Sequence, residues 1–197
     1  MRWCWSLILV SSSLLAQSFV EAPVSVCAFL GVARGANEVP ATAQDWGIAG
    51  GIAATVRERT GRLLAGELNF WYARTLASAQ PFRYATGSII VDARLRLNAD
   101  LPLELPTTAF VAAGVGVLFP LNEQVLAQPP SPTFEPNTPA LAIPITAGVC
   151  VLAESRYGIE LRATYVLSTT DNLNAPHDGQ FDGVFALMLG IVFPIEY

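Results

Sequence analysis

The chain has 197 residues, of which 52% are hydrophobic and only 14% are charged, and its net charge is -5 with arginine and no lysine among the basic residues. Soluble domains carry about 25% charged residues, so these values indicate a membrane protein and exclude a disordered chain. They also give no basic surface for nucleic acid, and we expect no nucleic acid partner.

The first residues have the pattern of an export signal. Arg2 supplies a positive charge, residues 3–10 form a short apolar core, and cleavage is expected after Ala16 or Ala22. A buried N-terminal helix is the alternative, which this pattern does not favour. We therefore expect residues 1–22 to be a signal peptide that directs export.

The apolar runs in the body of the chain are too short to cross a membrane as helices. A spanning helix needs about 20 apolar residues, whereas residues 139–153 and 184–195 are shorter and contain Pro144 and Pro194. Only helices and closed β-barrels satisfy every backbone hydrogen bond in lipid. Residues 23–197 are therefore predicted to form an outer-membrane β-barrel.

Eight segments carry strand signals at the spacing typical of barrels. They are residues 26–37, 45–58, 62–75, 82–98, 107–119, 140–154, 156–169 and 182–195. Long connections such as 120–139 and 170–181 alternate with short ones such as 59–61, although 99–106 is longer than a tight turn. Outer-membrane barrels have short periplasmic turns and longer extracellular loops. The pattern predicts an all-β fold, an eight-stranded antiparallel up-and-down transmembrane β-barrel with both termini in the periplasm.

Alternation along the strands separates a bulky apolar face from a face of small and charged residues. In the last strand the bulky face carries Phe185, Leu187, Leu189, Ile191, Phe193, Ile195 and Tyr197. Eight strands enclose an interior just wide enough for side chains, which bulky residues from every strand would overfill. The bulky face is therefore expected to contact lipid. A soluble lipocalin-like barrel with its apolar face inside is the alternative.

The charged residues in the middle of the strands all fall on the face expected to point inward. They are Glu67, Asp92, Arg94, Arg96, Glu160 and Arg162. Three acids and three bases are tolerated inside only as ion pairs, and the planar guanidinium of arginine can bind carboxylates bidentately. Strand directions place all six in the periplasmic half of the lumen. We expect them to close the lumen as a structural plug; a gate or polar path for small ions is the alternative.

Two stretches resemble the small outer-membrane β-barrel family, the group similar to the OmpA transmembrane domain. Residues 109–116 (AFVAAGVG) resemble the aromatic-x-x-x-Gly-x-Gly strand of these barrels, and residues 165–197 resemble their closing hairpin. The resemblance implies that Phe193, Ile195 and Tyr197 form the assembly signal read by the barrel-insertion machinery, with tyrosine where phenylalanine is more usual. The expected partners are this machinery, outer-membrane lipid and lipopolysaccharide.

The chain offers little catalytic or metal-binding chemistry. His177 has no serine at strand spacing, although Ser168 could approach it across the last long loop. Asp171, Asp178 and Asp182 could offer oxygen ligands to Ca²⁺, but their spacing is not that of an EF-hand and turn formation is the favoured interpretation. We therefore expect no enzyme activity, no metal and no cofactor.

Two cysteines, Cys27 and Cys150, remain after removal of the predicted signal peptide. An oxidising compartment would allow them to pair. Cys150 falls in the middle of a strand and Cys27 lies near the start of the first strand, which argues against pairing. The sequence alone leaves the question open.

These features predict a monomer in the bacterial outer membrane with a structural or surface-interaction role and with its long loops outside. The loop 121–139 contains five prolines and is expected to be extended and exposed. It is either a stiff connector, which we favour, or a ligand-contacting loop. A narrow small-solute channel and a soluble barrel that binds an apolar ligand are the alternative functions.

Overall fold

The computed structural model describes residues 24–36, 42–57, 63–77, 84–125, 138–154, 157–169, 173 and 181–195. The predicted signal peptide, Asp171, His177, Asp178 and Tyr197 lie outside these ranges, as does most of the proline-rich loop. Within the described ranges, no helix is long and apolar enough to cross a membrane.

Eight antiparallel strands form the wall of a closed barrel. They are β1 Val24–Ala36, β2 Gly47–Arg57, β3 Leu64–Ala77, β4 Tyr84–Leu101, β5 Thr107–Val125, β6 Ala140–Glu154, β7 Tyr157–Ser168 and β8 Gly183–Ile195. Each strand pairs with its neighbours in the chain, and β1 pairs with β8 along its whole length. A two-residue strand, Gln44–Asp45, pairs with the end of β3. The predicted eight-stranded up-and-down barrel is confirmed.

The three longest connections all lie at one end of the barrel. At one end, which we call the long-loop end, lie the connections 37–46, 78–83, 126–139 and 169–182. At the other, the turn end, lie the connections 58–63, 102–106 and 155–156, the start of β1 and the end of β8. Odd-numbered strands therefore run from the turn end towards the long-loop end, and even-numbered strands run back.

Strand β5 is longer than its sequence pattern predicts. The pattern ends at Phe119 because Pro120 follows, whereas β5 continues to Val125 by pairing with β4. The last pair between β5 and β6 is Leu118 with Ala140, so beyond this point β5 has a described partner on one side only. Sheets confine proline to such edge positions, where its missing N–H can face away from the hydrogen-bonded ladder.

Bulky apolar side chains cover the outside of the barrel. Leu30, Leu68, Leu161 and Leu189 are 75%, 64%, 50% and 58% exposed. The residues that alternate with them are small or polar and are buried, among them Ala33, Ala53, Ala73 and Ala186. This arrangement suits contact with lipid outside. It is the reverse of a soluble barrel that holds an apolar ligand.

Two glycines bring β5 close to β4 beside the interior charges. Gly114 pairs with Arg94, and Gly116 pairs with Asp92. A Cβ atom at Gly114 would overlap the Ala93 carbonyl oxygen, and one at Gly116 would lie 2.5 Å from the Cβ of Asp92. Any larger residue at either position would push the two strands apart, so these glycines provide the space next to Asp92 and Arg94.

Candidate functional site

Six buried charged side chains point into the lumen and form a connected network, which we call the charged cluster. It consists of Glu67 from β3, Asp92, Arg94 and Arg96 from β4, and Glu160 and Arg162 from β7. Each is between 1% and 4% exposed. Spacing by two residues keeps the charges of β4 and of β7 on the inner face of each strand, so the structure brings together all six residues singled out in the sequence.

Two arginines and two glutamates make bonds that cross the lumen. Arg96 Nη1 lies 2.9 Å from Glu160 Oε2 and 3.2 Å from Glu67 Oε2. Arg162 Nη1 lies 3.4 Å from Glu67 Oε1, and Arg162 Nε donates to Glu160 Oε1 at 2.7 Å. Each guanidinium therefore bridges both carboxylates. Because β3 and β7 stand on opposite sides of an eight-stranded ring, these four side chains span the interior.

The remaining pair, Asp92 and Arg94, forms a bidentate contact on β4. Arg94 Nε and Nη2 donate to the two Asp92 carboxylate oxygens at 2.5 and 2.8 Å. The same carboxylate also accepts from Asn69 Nδ2 at 2.9 Å and from the Trp71 indole N–H at 3.1 Å. Asp92 therefore has four donors, as a buried carboxylate requires to offset its loss of water.

Neutral polar side chains connect the two groups of charges with each other and with the far wall. Asn69 Oδ1 accepts from Arg162 Nη1 at 3.1 Å while its amide nitrogen donates to Asp92. Arg94 Nη1 contacts the Thr146 hydroxyl, which lies 2.8 Å from the hydroxyl of Thr164. The network thus reaches from β3 and β4 to β6 and β7.

Two interior aromatic rings stack on the guanidinium groups, a feature that the sequence pattern did not predict. The Phe110 ring centroid lies 3.4 Å from Arg96 Cζ, and the Phe29 centroid lies 4.8 Å from Arg162 Cζ. A Cβ at Gly148 would overlap the Phe110 ring, so this glycine makes room for it. Both phenylalanines are large residues on the face that otherwise carries small ones. This departure from the pattern is the sequence signal that could have indicated stacking on the interior arginines.

An apolar layer closes the lumen between the charged cluster and the long-loop end. It consists of Ile90, Leu118, Val166, Leu173 and Val184, each no more than 2% exposed and part of one contiguous cluster. Ile90 is the inward residue next to Asp92 on β4, and it pairs with Leu118 of β5. Val166 pairs with Val184. The alternation in the sequence predicts the charges as a plug but does not predict this second, apolar one.

A residue from the connection between β7 and β8 completes the apolar layer. Leu173 is 2% exposed, and its backbone N–H donates to Asp182 Oδ2 at 2.8 Å. The Asp182 carbonyl accepts from the Ser168 N–H at 2.9 Å. Asp182 thus ties the connection between β7 and β8 to the start of β8. The described residues hold no group of three or more metal-ligating side chains.

The other residues singled out in the sequence lie in two different places. Cys27 and Cys150 are free thiols that are buried in the lumen wall. Phe193 and Ile195, near the end of β8, face outward and are 48% and 38% exposed. Tyr197 lies outside the described residues, and the assembly signal stays a prediction.

Two solved structures that share this architecture are a surface protein and an outer membrane protein. The chain superposes on Neisserial surface protein A (NspA) with a TM-score of 0.60 at 13% identity, covering 88% of this chain and 97% of that one. It superposes on the outer membrane protein OprG from Pseudomonas aeruginosa with a TM-score of 0.54 at 9% identity, covering 90% and 98%. No protein-family model matches the sequence, and no curated protein matches it either. The resemblance to the OmpA transmembrane domain in particular stays a prediction, and what the chain shares with these structures is the fold of small outer-membrane β-barrels.

Proposed function

We propose that the protein is a non-conducting barrel of the bacterial outer membrane that holds its long loops at the cell surface for a structural or interaction role. In this proposal residues 1–22 direct export, and the long-loop end faces outward. The insertion machinery reads Phe193, Ile195 and Tyr197 at the end of the chain. The folded monomer contacts outer-membrane lipid and lipopolysaccharide and has no catalytic role.

The observation that carries the proposal is the double closure of the lumen. The charged cluster bridges opposite walls, and its three acids and three bases are held by mutual contacts and by Asn69, Trp71 and Thr146. The apolar layer beside it packs five buried aliphatic side chains across the lumen. A small eight-stranded barrel has an interior only wide enough for side chains, so conduction would require both layers to open.

Conductance separates this proposal from the channel alternative. The full mature chain is refolded into planar bilayers, and single-channel currents are recorded over a range of voltages. We expect no discrete currents above those of a protein-free bilayer. Reproducible unitary currents that disappear with an antibody to the protein would contradict the proposal. A large-pore porin recorded in the same bilayers serves as the positive control.

Surface labelling tests the orientation. An epitope is inserted between Pro129 and Pro130 in one variant and after Glu104, in the turn-end connection, in a second. We expect antibody to label intact cells carrying the first insertion and only permeabilised cells carrying the second. The reverse pattern would overturn the orientation. Recovery of the untagged protein in the soluble periplasmic fraction, with no mobility difference between boiled and unboiled gel samples, would overturn the membrane location.

A further inference from the structure

Two arginines lie on the outer surface of the barrel at the long-loop end, on either side of an exposed tryptophan. Arg34 is near the end of β1, Arg74 is near the end of β3, and Trp46 immediately precedes β2, which lies between them. Every second residue of β1 from Leu30 to Arg34 faces outward, and Leu30 is 75% exposed. Every second residue of β3 from Phe70 to Arg74 likewise faces outward, and Phe70 is 53% exposed. We call Arg34, Trp46 and Arg74 the basic–aromatic cluster.

Ring contacts hold the tryptophan in place between the strands. Arg34 Cζ lies 5.7 Å from the centroid of the Trp46 ring. The Trp46 ring in turn meets the ring of Phe185 edge-on, with centroids 6.2 Å apart. Phe185 is the cross-strand partner of Arg34 on β8. Trp46 nevertheless remains 50% exposed, so half of its surface stays accessible beside a guanidinium group.

On the other side of Trp46, Arg74 also lies beside an aromatic ring. Arg74 pairs with Gly87 of β4. A Cβ at Gly87 would lie 2.8 Å from the hydroxyl oxygen of Tyr72, so the Tyr72 ring occupies the space that this glycine leaves. Tryptophan and tyrosine rings are typical of the level of the lipid headgroups, where one end of the ring is apolar and the other is wet. We therefore expect the two arginines to lie at headgroup height.

An apolar depression on the outer surface lies below the arginines and is lined by residues of β1, β2, β3, β7 and β8. It has a volume of about 930 Å³ and is lined by Leu30, Ile52 and Phe70 nearest the basic–aromatic cluster and by Tyr157 and Phe193 towards the turn end. Leu30 and Phe70 each precede an arginine of the cluster by four residues, which is about 13 Å along a strand. The outer surface thus carries two half-buried arginines, from β1 and β3, above a concave apolar surface.

We propose that the basic–aromatic cluster binds the phosphorylated sugar headgroup of lipid A, the membrane anchor of lipopolysaccharide, with its acyl chains against the apolar surface below. Guanidinium groups bind phosphate bidentately, and an indole ring offers a flat surface to a sugar. Arg34 and Arg74 complement the negative phosphates locally, although the chain as a whole has a net negative charge. This inference rests on the proposed function for its orientation, since lipid A lies in the outer leaflet.

Lipid binding to the refolded full mature chain tests the proposal. Binding of bisphosphorylated lipid A and of chemically dephosphorylated lipid A is measured by native mass spectrometry in detergent. Replacing Arg34→Gln or Arg74→Gln is expected to weaken binding of the bisphosphorylated form by about fivefold each. The dephosphorylated form should bind the wild type and both variants equally. Arg156→Gln, in the turn-end connection 155–156, is the matched control and should leave both affinities unchanged.

Three outcomes would overturn the inference. Equal affinity of the wild type for the two forms of lipid A would show that the phosphate groups do not contribute to binding. An effect of Arg156→Gln as large as that of Arg34→Gln would show that the site does not lie at the long-loop end. Equal competition by phosphatidylglycerol would make the site a general anion site. The variant with Arg34→Lys and Arg74→Lys keeps both charges and should retain most of the affinity even if the glutamine variants fold poorly. None of these outcomes depends on conductance, so the inference and the proposed function can fail separately.

Discussion

Glu67 and Arg162 are 95 positions apart in the sequence, yet Glu67 Oε1 and Arg162 Nη1 lie 3.4 Å apart inside the barrel. The contact joins β3 to β7 across the lumen. The interior of this barrel is therefore closed by matched charges rather than by large apolar side chains alone. Its stability depends on keeping that match, because a buried charge without a partner is far more costly than a buried pair.

Replacing Arg162→Met tests the charge balance of the lumen. The substitution leaves Glu67 and Glu160 with only Arg96 between them, and it should lower the free energy of unfolding by about 3–5 kcal/mol. Urea titration of the barrel refolded in lipid vesicles, followed by gel mobility without boiling, measures the change. Adding Glu160→Gln restores equal numbers of acids and bases and should recover part of the loss. A double variant less stable than Arg162→Met alone would contradict this explanation.

Glycine substitutions on two different strands should differ sharply. A Cβ at Gly116 would lie 2.5 Å from the Cβ of Asp92, whereas a Cβ at Gly66 would meet no atom within 4 Å. Gly116→Ala should therefore move β5 away from β4 and lower the yield of refolded barrel, and Gly66→Ala should leave the yield unchanged. Both yields are read from the fraction of protein with folded mobility on unboiled gels. Equal yields would argue that β4 and β5 can separate without cost.

The strands and the facing of their side chains could be predicted because both depend on local alternation. Inward residues recur at every second position of a strand. The alternation within a single strand therefore shows that each charged residue of the cluster points inward, whichever strands lie beside it. The proline at position 120 misled the prediction for β5, since whether a proline ends a strand depends on which edges are paired. That pairing is a property of the whole sheet.

The apolar layer could not be predicted in the same way. Ile90 and Leu118 meet only because β4 and β5 adopt one register, and Leu173 reaches them from a connecting segment with no periodic pattern. The stacking of Phe110 on Arg96 likewise depends on the absent side chain at Gly148 of the next strand. Contacts of this kind depend on the register between strands and on the shapes of the side chains that meet, so the residues next to each partner in the sequence do not predict them.

Replacing Asp182→Ala should loosen the connection between β7 and β8. The carboxylate accepts the Leu173 N–H at 2.8 Å in a buried setting, and a buried donor without an acceptor costs about 1–3 kcal/mol. Leu173 should then leave the apolar layer, and limited proteolysis should cut residues 169–182 faster than in the wild type. Asp182→Asn keeps an acceptor oxygen at this position and should stay close to the wild-type rate. The proposed role of the side chain is wrong if the alanine and asparagine variants are cut equally fast.

A charge on the outer surface should be costly in proportion to its depth. Leu161 lies near the middle of β7 and is 50% exposed, while Tyr157 begins the same strand at the turn end and is 38% exposed. Because arginine at the centre of a bilayer costs about 2–4 kcal/mol and near the interface about 0–1 kcal/mol, Leu161→Arg should destabilise the barrel in lipid vesicles much more than Tyr157→Arg. The same variants refolded in a short-chain detergent should differ less in stability, since water reaches more of the outer surface of the barrel there. Similar losses for the two variants in vesicles would mean that this face does not contact the bilayer interior.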